Sequence, residues 1–310
     1  FVVSYDSEIK IYIVMLSLTL SIDGLDSFIN TIFQATENFK LISILSIIQK
    51  AFYVFFNILF LYLGYGIVGL VLSALIVRFS FLFLKYYYSR KLVRFNLLSK
   101  LKINISFLKQ SLLFSLIGFT EMLYTRIDLL MISILGTPLQ VGIYGVAYTL
   151  SRQISMLRNV NAMAFLPIFV KEFREKSFTA KKLLYSSFSY AGIVFLIALV
   201  ISYFSESIII TLFGFEYEQS GEILSVLVFY QVFFWFSFPF TTALQSTYNE
   251  KIMLYSNLLL AIVNISLNFY LYSIYGLLGI AYSTLIVYAL GMPMLCFFSF
   301  RILKEQNYFA

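Results

Sequence analysis

The chain reads as an all-α polytopic membrane protein, with nine transmembrane helices out of an expected twelve in two six-helix lobes related as parallel repeats. Three observations predict this. Of its 310 residues, 61% are hydrophobic and 12% charged, with mean hydropathy +0.89; a typical soluble domain carries about 25% charged residues. Nine apolar runs each reach the ~20 residues that a helix needs to cross a bilayer. Three of these runs, near the start of the chain, match three near its end in register.

The runs are 11–33, 41–63, 66–88, 109–135, 140–166, 184–204, 222–243, 254–273 and 277–300. Each is apolar all round, which fits helices. Membrane strands would alternate with period two over ~10 residues, and in lipid each backbone N–H and C=O must be paired within its own helix or a closed barrel. After the third run come Arg90, Lys91, Arg94, Lys100 and Lys102, and after the fifth Lys171, Arg174, Lys176, Lys181 and Lys182. Lys251, Arg301 and Lys304 fall on the same side. The opposite side carries Lys10 with Asp6, Glu8, Glu206, Glu216 and Glu218. The positive-inside rule makes the basic side cytoplasmic, with the C-terminus inside and Phe1 outside. The net charge of +7 is thereby read as orientation rather than as a nucleic-acid surface. Residues 89–106 mix Leu92, Val93, Leu97, Leu98 and Leu101 with cations, the pattern of an interfacial helix. They divide residues 1–88, the last three helices of an N-lobe, from 107–310, a six-helix C-lobe.

The repeat aligns YGIVGLVLSALIV at 65–77 with YGLLGIAYSTLIV at 275–287, identical at seven of thirteen positions. Upstream, Gln34, Thr36, Asn38 and Lys40 match Gln245, Thr247, Asn249 and Lys251, and Asn57 matches Asn268. The offset is 210 or 211 throughout. Shared apolar composition produces chance Leu and Ile matches, but not Gln, Thr, Asn, Gly and Ser in register. Both copies cross the membrane in the same sense, so they are parallel repeats about an axis along the membrane normal. Three helices precede the second copy, and by symmetry three more are expected before residue 1.

Several classes of chemistry fall away. One cysteine, Cys296, and no histidine exclude an internal disulfide, Cys-based metal clusters and His-based catalysis. The longest external loop, 205–221, holds Glu206, Glu216 and Glu218 but no His, Arg or Lys, which argues against a membrane polymerase or ligase. No catalytic residue and no metal site are assigned.

An ionisable residue at a helix centre costs at least ~2.5 kcal/mol in a bilayer, so each needs a partner or a wet cavity. On the first hairpin, Asp23 and Asp26 share a helical face, and depth counting puts Lys50 level with them. This predicts an Asp23/Asp26–Lys50 cluster, either a neutralised pair fastening two helices or a cation- or proton-coupling site. The second hairpin, turning near Pro138, carries Arg126, Arg152 and Arg158 with Asp128 and Glu121. Static ion pairing is one reading of this ladder. The other is a cationic cavity, because arginine is in excess and its planar fork binds phosphate or carboxylate in a bidentate way. Arg78, mid-span, is expected to join that cavity from the other lobe, and Lys85 to snorkel to the inner surface. Tyr86, Tyr87 and Tyr88 read as an interfacial belt. Pro239 and Pro293 are expected to kink their helices.

RIDLLMISILGTPLQVGIYGVAYTLSR at 126–152, FLPIF at 165–169, LFGFEY at 212–217 and IFQATENFK at 32–40 resemble the polysaccharide-exporting flippases of the multidrug/oligosaccharidyl-lipid/polysaccharide exporter superfamily. The strongest of these signals is Arg126-x-Asp128 followed by Gly142-x-Tyr144-x-x-Ala147. The resemblance implies a two-lobed, V-shaped bundle in the cell membrane that flips lipid-linked oligosaccharide by alternating access for surface polysaccharide biosynthesis. It also implies a cationic central cavity in which Arg126, Arg152, Arg158 and Arg78 hold the anionic head group. Asp128, Glu121, Asp23, Asp26 and Lys50 would then serve in ion pairing or coupling, with H+ or Na+ as coupling ion and no other cofactor. Partners would be membrane lipid and glycan assembly proteins, not nucleic acid. A drug or small-cation exporter of the same superfamily is the alternative, and would favour an acidic cavity.

Overall fold

A computed structural model of the chain describes residues 7–93, 105–175, 179–246 and 249–305, and every element among them is helical. The chain divides into two compact units, Phe1–Lys102 and Ile103–Ala310. The first contains α1 (Ser7–Ala35), α2 (Phe39–Tyr62) and α3 (Gly66–Leu92). The second contains α4 (Ile105–Leu135), α5 (Pro138–Arg174), α6 (Ala180–Tyr203), α7 (Ser205–Phe213), a 3₁₀ turn at Phe215–Tyr217, α8 (Glu218–Leu227), α9 (Tyr230–Phe236), α10 (Phe238–Ser246), α11 (Glu250–Tyr275) and α12 (Leu277–Glu305). Eight of the predicted runs each lie mainly on one helix, and the run 222–243 is divided among three.

By length and apolarity, α2, α3, α6, α11 and α12 qualify as membrane spans among the described residues, and a sixth is formed if the bent stretch through α8, α9 and α10 counts as one. Helices α1, α4 and α5 stand outside that set, and each carries charges along its length. The protein is thus an all-helical, multi-pass membrane protein. The predicted interfacial helix falls mostly on residues 94–104, which lie outside the described residues. Before them, α3 runs on to Leu92, and the tyrosine belt gathers its cations: Lys91 Nζ lies 4.5 Å from the Tyr87 ring centre and Arg90 6.0 Å from that of Tyr86.

The repeat is visible in three dimensions. In the first unit α3 packs against both α1 and α2; in the second α12 packs against α11 and against α8 and α9. The turns entering α3 and α12 use equivalent glycines with positive φ, Gly66 at +53° and Gly276 at +58°, where a residue with a Cβ would be strained. Equivalent glycines also let the helices approach. A Cβ on Gly69 would lie 2.6 Å from Phe60 Cβ, and one on Gly279 would lie 2.1 Å from the Leu271 carbonyl oxygen. Phe60 and Leu271 are themselves repeat partners, 211 residues apart.

Span seven departs from its counterpart. It was expected to be one helix over 222–243, kinked by Pro239. The stretch is divided into α8, α9 and α10 and bent by 40°, whereas its counterpart α1 is unbroken. Pro239 has no N–H to continue the ladder, and just before it the Phe233 carbonyl accepts from both the N–H and the hydroxyl of Ser237. The earlier break is closed by tight i−3 bonds, Gln231 N to Val228 O and Val232 N to Phe229 O. α12 runs without interruption through Pro293.

Helices α4, α5, α8, α11 and α12 meet in the main core of the second unit, where Ile132, Tyr144, Ala147, Leu224, Leu227, Ile280 and Val287 are buried. This core fixes the backbones that present the charged side chains described next.

Candidate functional site

In the first unit the acids of α1 find their partners on α3, not on α2. Asp26 pairs with Lys85 at 2.8 Å, and Asp23 with Arg78 at 3.4 Å. Asn30 adds a bond to Asp26 at 2.9 Å. The expected Asp23/Asp26–Lys50 cluster is therefore corrected. α1 packs chiefly on α3, and Lys50 is exposed. Lys85 does not snorkel either: it is 2% exposed and tied to Asp26. Spacing explains the pairing. Positions 78 and 85, seven apart, share a face of α3 just as 23 and 26 share one of α1.

In the second unit, α4 and α5 form the walls of a cavity of about 790 Å³, closed by residues of α9 and α12. Arg126, Arg152, Arg158 and Glu121 all line it, with Thr125, Tyr148, Gln153, Tyr230, Phe234 and Tyr288. Arg158 is anchored: its guanidinium stacks 3.7 Å from the Phe234 ring centre and donates to Thr241 Oγ1 at 3.2 Å. Among the described residues Arg126, Arg152 and Glu121 have no ion-pair partner within 4.0 Å. The ladder is therefore not a set of static pairs. Among the described residues, three cations and one anion face one cavity.

Asp128, placed by sequence in the same ladder, turns away from it. It is 2% exposed and sits between helices. It accepts from Thr284 Oγ1 at 2.7 Å, Asn268 Nδ2 at 3.0 Å and the Tyr144 hydroxyl at 3.1 Å. Two residues of α4 explain the split: from Arg126 to Asp128 the helix turns ~200°, so one points into the cavity and the other into the core. Beside Asp128, Asn268 Oδ1 and Asn264 Nδ2 are buried without a hydrogen-bond partner. Asn268 is the repeat counterpart of Asn57, which accepts from Ser73. Ser73's counterpart Ser283 instead contacts Asn264, at 3.4 Å, while Asn268 turns its Nδ2 to Asp128.

Sequence reasoning missed Tyr144, Asn268 and Thr284 as partners of Asp128, and the anchoring pair Phe234 and Thr241. Asn268 carried a signal, its register in the repeat. Tyr144 carried one too, its place beside Asp128 in the same motif, but Thr284 lies 156 residues from Asp128 in the chain and carried none.

The family described as Polysaccharide biosynthesis protein matches residues 3–173, and the family described as MatE matches residues 114–270. The two matches overlap on α4 and α5, the walls of the cavity. No curated protein matches the chain.

Proposed function

The chain belongs to the polysaccharide biosynthesis protein family of the multidrug/oligosaccharidyl-lipid/polysaccharide flippase superfamily, a superfamily of membrane transporters, and from that premise we propose that it flips lipid-linked oligosaccharide from the cytoplasmic to the outer leaflet of the cell membrane. One observation carries this reading: Arg126, Arg152 and Arg158 line one cavity with a single carboxylate, Glu121. Arg126 and Arg152, which have no ion-pair partner among the described residues, suit a diphosphate head group, which guanidinium groups can grip in a bidentate way. Such a cavity disfavours a cationic drug. Transport by alternating access needs no covalent step, and the polyprenyl tail stays in lipid. Arg78, in the first unit, is paired with Asp23 at 3.4 Å.

In this reading the coupling cation, H+ or Na+, is taken up at Asp128. What supports it is contrast: the acids of α1 are already paired with Arg78 and Lys85, while Asp128 is buried among neutral donors with no cation beside it. The C-terminus lies in the cytoplasm, as the Lys/Arg bias of the loops favours. Cysteines at Glu216 and Lys251 should then label from opposite faces, Glu216 from outside; labelling of both from one face contradicts this orientation.

The test is transport by the purified protein in liposomes. Fluorescent lipid-linked oligosaccharide should cross faster with protein than without, in response to an H+ or Na+ gradient, and Asp128→Asn should abolish that response. Uptake of a cationic dye with no flipping of the lipid would favour the drug-exporter alternative.

A further inference from the structure

Among the described residues Glu121 is the one carboxylate lining the cationic cavity, and none of them forms an ion pair with it. It is exposed to the main cavity and to an adjoining pocket that shares Arg158 and Thr125 with it. Although three arginines line the same space, no Lys or Arg among the described residues lies within 4.0 Å of it. A charged group at this depth is costly unless something polar meets it, and a carboxylate offers only acceptors. Its natural partner is therefore a ligand group rich in neutral O–H or N–H donors.

We propose that Glu121 recognises the first sugar of the transported head group, accepting hydrogen bonds from two neighbouring hydroxyls. This rests on the lipid-linked oligosaccharide reading above. Spacing supports it: Glu121 precedes Arg126 by five residues, about 7.5 Å along the helix axis at 1.5 Å per residue. A phosphate held at Arg126 would set the sugar it esterifies beside Glu121. The adjoining pocket, of about 60 Å³, adds Ser237, Thr241 and Asn257 beside Glu121, neutral hydroxyl and amide groups that bring no further positive charge to this end of the cavity. Negative charge at Glu121 also repels a carboxylated sugar, so this position selects a neutral first residue.

The experiment measures binding of two probes to the protein in lipid nanodiscs: polyprenyl diphosphate, and the same lipid carrying one neutral hexose. The wild type should bind the glycosylated lipid about tenfold more tightly, as expected for hydrogen bonds to a charged acceptor. Glu121→Gln should lose most of that gain while binding the bare lipid no more weakly, since a repelling charge has gone. Arg126→Ala should weaken both. A full gain in Glu121→Gln, no gain in the wild type, or loss of bare-lipid binding in Glu121→Gln each overturns the proposal. A wild type that binds neither lipid overturns the lipid-linked oligosaccharide reading itself.

Discussion

Arg152 and Arg158 lie six residues apart on α5 and face the same cavity, but they are held differently. Arg158 is stacked on Phe234 and bonded to Thr241. Arg152 is exposed and without an ion-pair partner among the described residues. An arginine kept unpaired inside a membrane helix carries an energetic cost that substrate contact can offset. Arg152→Lys keeps the charge and loses the planar fork. It should reduce lipid flipping about tenfold or more, with unchanged expression and melting temperature; wild-type flipping would show that bidentate contact is not used there. This part of the site was legible in the sequence. Depth counting on one hairpin placed Arg126, Arg152, Arg158 and Glu121 at neighbouring levels, and helical geometry did the rest. Asp128 was not legible in the same way, because its partners Asn268 and Thr284 sit on α11 and α12, 140 and 156 residues away. Counting along a hairpin says nothing about which third helix will pack on it.

The same limit appears at the scale of elements. Lys50 was matched to Asp23 and Asp26 because α1 and α2 are consecutive, yet α1 packs mainly on α3. The consequence is a pair of ion pairs along the α1–α3 contact, of which Asp26–Lys85 is the more buried. Removing one partner of a buried pair leaves an uncompensated charge and costs about 3–5 kcal/mol, whereas replacing both with apolar groups is often neutral. Lys85→Met should therefore lower the melting temperature sharply, and Lys85→Met with Asp26→Leu should recover most of it. An equal loss in single and double variants would mean that the pair also serves transport or folding in another way. Span existence was readable from apolar length throughout, but the breaks in α8–α10 were only half signalled. Pro239 marked one of them; the tight turn at Val228–Phe229 has no proline or glycine to announce it.

At the scale of the molecule, the repeat is what makes the sequence interpretable. Gly66 and Gly276 turn the chain with the same backbone hand, and Gly69 and Gly279 meet equivalent residues on the preceding helix. Yet the two copies carry different chemistry. Where the first has Arg78 and Asp23, offsets of 210 and 211 put Tyr288 and Phe234, which line the cavity of the second unit. The framework is thus shared and the charges are placed separately on each copy. The central claim is that Arg126 and Arg152, without an ion-pair partner among the described residues, carry an anionic lipid head group. The measurement that tests it most directly is flipping of lipid-linked oligosaccharide in proteoliposomes by the wild type and by Arg126→Ala with Arg152→Ala, at matched protein content. The account predicts rapid flipping by the wild type and a loss of about a hundredfold or more in the double variant, with each arginine contributing about 1.4 kcal/mol or more, a factor of ten. Undiminished flipping by a correctly folded double variant would contradict it.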